Sequence, residues 1–230
     1  MWVRQGASRS VPLAADLPEV ERLLVVELGP HAPPETYRAV GALLPWLLHL
    51  DPAWVAAHRD EIFPAAPGRA AHWQEAWSGF VRSHEVRPHA SYSILRTEYT
   101  RAVEELAGGV EGRDREFIGE CLAWHLIVLY LWGDIDVTGP DPLMARLFEI
   151  APLSLRSHLL WQAAEGIEKA LKLGPHVIDR LIANWADRMA KAETDARAQE
   201  ELPAFGWWFA SGHFDETWAL EQLEKVLRRK

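Results

Sequence analysis

Apolar residues recur along nearly the whole chain at spacings of three and four, and no stretch alternates apolar and polar positions between hairpin turn signals. The pattern predicts an all-α fold. In the run Arg22-Leu23-Leu24-Val25-Val26-Glu27-Leu28 a buried strand competes with a helix from about Leu17, because paired β-branched residues favour extended backbone. The helix is the better fit to the flanking pattern. Gly29-Pro30-His31-Ala32-Pro33-Pro34 then breaks the chain, and a helix from Glu35 carries Tyr37, Val40, Leu43, Leu44, Leu47 and Leu48 toward a core. Pro45 should kink or split it, by removing a backbone donor and crowding the carbonyl four residues earlier.

Asp51-Pro52 pairs an N-cap side chain with a residue pre-set for the first helical turn, and the helix it opens stops at Pro64. Ala70, Trp73, Trp77, Phe80 and Val81 mark the next helix, which ends before Pro88; His84 and His89 flank that turn. From about Ser91, Leu95, Tyr99, Ala102, Val103 and Leu106 share a face up to Gly108-Gly109. The helix over about 114–132 is apolar nearly all round after Phe117, as expected at the centre of a helical assembly, and Gly133 closes it. Gly139-Pro140-Asp141-Pro142 repeats the Asp-Pro start for a helix ending near Ala151-Pro152. Later helices are predicted over about 154–173, 175–198 and 215–229, the second with Ile178, Leu181, Ile182, Trp185 and Met189 on one face.

These elements make one domain over residues 1–230, of about ten helices packed as antiparallel neighbours because the connections are short. The two Asp-Pro starts lie 90 residues apart, a spacing compatible with two HEAT-like helical pairs. The charged residues Lys191, Glu193, Asp195, Arg197, Glu200 and Glu201 read as a solvated end, separated by Pro203 from the aromatic-rich stretch after it.

Composition narrows the classes of function. A net charge of -9 with interleaved signs gives no basic surface for phosphates, so nucleic acid is not expected as a partner. A lone cysteine, Cys121, in an apolar run fits a reducing compartment, and the first ten residues lack the apolar core of a signal peptide; a cytoplasmic protein is expected. The longest uncharged apolar run, Cys121 to Trp132, would reach about 18 Å as a helix against a hydrocarbon core of roughly 30 Å, so no membrane span is expected.

Motifs for nucleophilic catalysis, zinc-protease helices and phosphate-binding loops are missing from the sequence. Ala107-Gly108-Gly109-Val110-Glu111-Gly112 reads as a helix cap and turn. Cys121 and His125 share a helix face but have no second ligand pair, so they read as core residues and neither a metal site nor a cofactor is predicted. The carboxylate pairs Glu104-Glu105 and Glu200-Glu201 point in diverging directions and read as solvated faces, and Trp73-x3-Trp77 reads as core packing. The alternative to a binding protein is a metal-dependent or small-molecule enzyme using His125 and Glu120 in the helical core.

Between Leu202 and Trp218 the chain holds six aromatic rings: Phe205, Trp207, Trp208, Phe209, Phe214 and Trp218. Trp207, Trp208 and Phe209 are consecutive and cannot share one helix face. Ser211-Gly212 can end a short helix with a left-handed residue, Asp215 can cap the next, and Phe214 can pack on it. Two readings stay open: a corner that closes the core, or a partner-binding surface made of Trp207, Trp208, Phe209, His213 and Phe214. The stretch from Phe205-Gly206-Trp207-Trp208-Phe209-Ala210-Ser211-Gly212-His213-Phe214 on to Asp215-Glu216-Thr217-Trp218-Ala219-Leu220-Glu221-Gln222-Leu223 resembles the C-terminal end of helical regions in large bacterial defence-type proteins, some of which carry a SIR2 or a STAND NTPase domain. The motifs of those catalytic domains are missing from this sequence, so no catalysis is implied. The resemblance implies a non-enzymatic helical module of a larger protein, one that binds or senses a macromolecular, protein partner.

Overall fold

The computed structural model describes residues 12–29, 31–83, 86–109, 112–137, 141–170 and 173–228. Expectations placed on Pro30, His84, Val110-Glu111, Gly139-Pro140, residues 171–172 and the end of the last helix at Arg229 lie outside the described residues. The fold is all-α, with thirteen α-helices and two 3-10 turns and no strand among the described residues. The chain divides into two compact units, Met1–Ala102 and Val103–Lys230.

The first unit contains α1 (Leu13–Asp16), α2 (Pro18–Glu27), α3 (Pro34–Leu50), α4 (Pro52–Ile62), α5 (Ala70–Val81) and most of α6 (Pro88–Glu105). The helix wins over the strand at α2, with Pro18 in its first turn; Leu24 faces inward and Val25 and Val26 face solvent. Two hydrogen bonds tie α1 and the end of α2 to α3. The Tyr37 hydroxyl donates to the Leu28 carbonyl at 2.8 Å, and the Leu13 amide donates to Asp51 Oδ2 at 2.9 Å. The other Asp51 oxygen accepts from the Trp54 amide at 3.0 Å, so the expected N-cap of α4 also anchors α1.

Pro45 does not split α3, which is helical throughout Pro34–Leu50. The carbonyl that its ring crowds belongs to Gly41, and the turn there is held from outside by α5. A Cβ at Gly41 would collide with the Ala76 carbonyl oxygen, and one at Gly79 with that of Arg38, so bare backbone faces bare backbone at this crossing. Because 37 lies beside 72 and 41 beside 76, α3 and α5 run parallel, with α4 as the connection between them. Leu43, expected inward, is exposed. The Trp73 and Trp77 rings stack at 5.8 Å as core, and Trp73 Nε1 donates at 2.6 Å to Glu98, whose carboxyl is raised above its ordinary range by burial. The Arg101 guanidinium lies 4.2 Å over the Trp73 ring. α6 starts at Pro88, three residues before the expected Ser91, and departs from helical backbone at Leu95.

The second unit contains α7 (Arg113–Trp132), α8 (Leu143–Ile150), α9 (Leu153–Glu168), α10 (Pro175–Lys191), α11 (Ala196–Glu201), α12 (Gly206–Ala210) and α13 (Glu216–Leu227). As expected, α7 is buried on several sides and ends on Gly133 with a left-handed φ of 89°. Its C-terminal carbonyls are gripped from α10. Arg180 donates to Tyr130 O, to Ile135 O at 2.5 Å and to Asp136 Oδ1 at 2.9 Å, while the Tyr130 hydroxyl donates to the Arg180 carbonyl. The second Asp-Pro does not repeat the first: the N-cap of α8 is Pro142, with no side-chain cap bond, and Asp141 O accepts instead from the Asp136 amide at 2.7 Å.

Candidate functional site

The helix expected over 175–198 ends at Lys191, and after a turn the chain restarts as α11, capped by Asp195 on the Arg197 amide at 2.9 Å. From Ala196 it stays helical as α11, the 3-10 turn Leu202–Phe205 and α12, so Pro203, expected to separate the charged residues from the aromatic stretch, lies within one continuous helical segment. Ala198, Glu201, Leu202, Phe205, Trp208 and Phe209 face inward, a helical series in which one position is a carboxylate. The reading of 191–201 as a solvated end therefore fails at Glu201.

Glu201 is 0 % exposed and receives two guanidinium groups. Arg156, 1 % exposed on α9, donates Nη1 to Oε2 at 2.6 Å, and Arg188, 2 % exposed on α10, donates Nε to Oε1. Arg188 also lies 4.6 Å over the Phe148 ring and 3.8 Å from Asp187. Arg156 reaches the Arg197 carbonyl at 3.3 Å, and Arg197 donates to the Glu149 and Ala151 carbonyls at the end of α8. Burial raises the Glu201 carboxyl against the pull of both arginines, and it lowers Arg156. The cluster joins α8, α9, α10 and α11. One turn before Arg188, Asn184 is fully buried with neither side-chain amide atom hydrogen-bonded to protein.

The aromatic segment closes the same layer. Trp208 is fully buried and donates Nε1 to the Leu160 carbonyl of α9 at 2.8 Å, and Phe209 is buried against Trp185 at 5.0 Å between ring centroids. Trp185 in turn donates to Gln222 Oε1 of α13 at 3.1 Å. Gly212 takes a left-handed φ of 76°, Asp215 caps α13 through the Trp218 amide at 2.9 Å, and Phe214 stacks on Trp218 at 5.5 Å, as the corner reading requires. Of the five residues expected to meet a partner, Trp208 and Phe209 are thus core, His213 and Phe214 are half-buried, and Trp207 is 67 % exposed. Leu160, which accepts the Trp208 bond, is followed by Trp161, also exposed, so the tie between α9 and α12 carries an outward indole beside each end.

His125 is buried, and burial alone pushes it down to about 3, while Glu120 is half-buried with its carboxylate 3.9 Å from His158 Nδ1. Five residues apart on α7, the two point about 140° apart around the helix and do not converge. Among the described residues no group of three or more His, Cys, Asp or Glu could hold a metal ion. No described helix is long and apolar enough to cross a membrane. No protein-family model, curated protein or solved structure matches the chain.

Three residues that organise this region, Arg156, Arg188 and Glu201, are not among the site residues expected from the sequence. Their signal was present. Each occupies an apolar position in a helical series, between Leu155 and Leu159, Trp185 and Ala192, and Ala198 and Leu202. A charge in such a position asks for a buried counter-charge.

Proposed function

We propose that this protein is a non-enzymatic helical scaffold that binds a protein partner, and that Trp207 is a contact residue. The observation that carries the reading is the contrast within Trp207-Trp208-Phe209. Two of the rings are consumed by the core, whereas the third is held out by a helix that a buried hydrogen bond and a buried ion triad keep in place. A large, rigid, amphipathic side chain presented on fixed backbone loses little entropy on binding, which is why Trp is favoured at the centre of interfaces. The resemblance of 205–223 to helical regions of bacterial defence proteins supports the same reading, with the chain as the sensing or binding module and the effector elsewhere.

The test is site-specific photo-crosslinking in the native cell, with a photoreactive phenylalanine at position 207 and, as control, at the exposed Glu221. A discrete protein adduct at 207 that is absent at 221 supports the reading. No adduct at 207, or the same adducts at both positions, refutes it.

A further inference from the structure

The first unit carries a different surface. At 100° per residue, Glu19, Val20, Leu23, Val26 and Glu27 fall within about 120° of arc on one flank of α2. Leu23 is 59 % and Val26 71 % exposed, Val20 is exposed as well, and only Leu24 of this helix is buried. Glu19 is exposed and Glu27 is half-buried; Arg22 lies off the flank, 3.9 Å from Glu19 and bonded through Nε to the Pro18 carbonyl at 3.3 Å. Three apolar side chains spaced by three, bordered at both ends by carboxylates, form a row with a chemical bias.

We infer that this row docks an amphipathic helix of a partner protein whose apolar stripe is flanked by Lys or Arg. Apolar anchors at helical spacing fit a row of the same spacing, and the bordering carboxylates select for cations beside them. A second copy of this chain fits poorly. A two-fold contact would set the carboxylate-bordered row against itself, between chains that each carry a net charge of -9. The inference stands independently of Trp207, which lies in the other unit.

The experiment uses the full chain and a fluorescent peptide of about 14 residues, built of Leu and Lys in an amphipathic helical pattern, with a twin in which Glu replaces Lys. Binding is read by anisotropy at low and high salt. The Lys peptide should bind more weakly as salt rises, and the double substitution Leu23→Lys/Val26→Lys should weaken it at least about tenfold, about 1.4 kcal/mol, with the circular dichroism unchanged. Glu19→Gln/Glu27→Gln should weaken it several-fold at low salt only, and Leu220→Lys in the second unit should change nothing. Equal binding of the Glu twin, an unchanged affinity in the Leu23→Lys/Val26→Lys chain, or a dimer in sedimentation that this double substitution dissociates would overturn the inference, the last in favour of a second copy.

Discussion

Replacing Glu201 by Ala leaves Arg156 and Arg188, 1 % and 2 % exposed, with no carboxylate between them. Two guanidinium groups that were held out of water by one counter-charge then face each other in the core, and Asp187, 3.8 Å from Arg188, compensates only one of them. Removing one partner of a buried ion pair costs about 3–5 kcal/mol, a large share of the roughly 5–15 kcal/mol that stabilises an ordinary domain. The measurement is urea unfolding followed by circular dichroism, with amide hydrogen exchange over α9 to α11 as the local reading, because the two units need not unfold together. Midpoint and slope are compared among the parent, Glu201→Ala, and the triple substitution Arg156→Met/Arg188→Met/Glu201→Leu. The triple chain should recover most of the lost stability, since an apolar replacement of similar volume removes the desolvation cost along with the attraction. Arg146→Ala, which breaks the exposed pair with Glu104 at 2.7 Å, should cost far less than Glu201→Ala. A loss below about 1 kcal/mol for Glu201→Ala, or a triple chain no more stable than the single one, would show that Glu201 does not compensate two buried guanidinium groups.

Three further outcomes rest on the geometry. Gly79→Ala should destabilise the first unit by about 1–3 kcal/mol or more, read as a lower unfolding midpoint, because its Cβ has only the Arg38 carbonyl to enter. His125, pushed down to about 3 by burial, stays neutral in the folded chain while the unfolded chain takes up a proton below its ordinary 6.5. Stability present above that pH is therefore lost as pH falls, by about 2 kcal/mol at pH 5, and His125→Leu should flatten this acid limb in a series of unfolding curves. Trp208→Phe, which loses the bond to Leu160, should cost about 1–3 kcal/mol, whereas Trp207→Ala should leave the unfolding free energy within about 0.5 kcal/mol of the parent if its ring serves a partner and not the core.

The helices were legible wherever one face is apolar and punctuation is local. Asp51 before Pro52, Gly133 after Trp132 and Asp215 before Glu216 all act within one turn, and the structure uses each as read. Long-range compensation was not legible. The split considered at Pro45 does not occur in α3, whose turn at Gly41 packs on α5, and neither Gly41 nor Gly79 announces its partner in the sequence. The second Asp-Pro resembles the first as a dipeptide, but the carbonyl of Asp141 is used by Asp136 and the helix starts one residue later. Glu201 is the clearest case. Among Lys191, Glu193, Asp195, Arg197 and Glu200 it looks like one more solvated charge, and only the series Ala198, Leu202, Phe205, Phe209 places it on the inner face.

That placement bears on how the exposed ring is held. The segment from Ala196 to Ala210 runs parallel to α9, as 156 meets 201 and 160 meets 208, and antiparallel to α10, as 188 meets 201 and 185 meets 205. Ring contacts alone tolerate sliding, because a shift of one turn exchanges one aromatic neighbour for another at similar separation. The ion triad does not tolerate it. A slide of three or four residues would bury both guanidinium groups without Glu201 and break the Trp208 bond to Leu160, so one register is favoured by several kcal/mol over its neighbours. Trp207 inherits that register: its direction is fixed by a carboxylate six residues earlier and an indole one residue later, both fully buried. A core position given to a charge costs burial energy locally, and in this layer it defines where the outward indole stands.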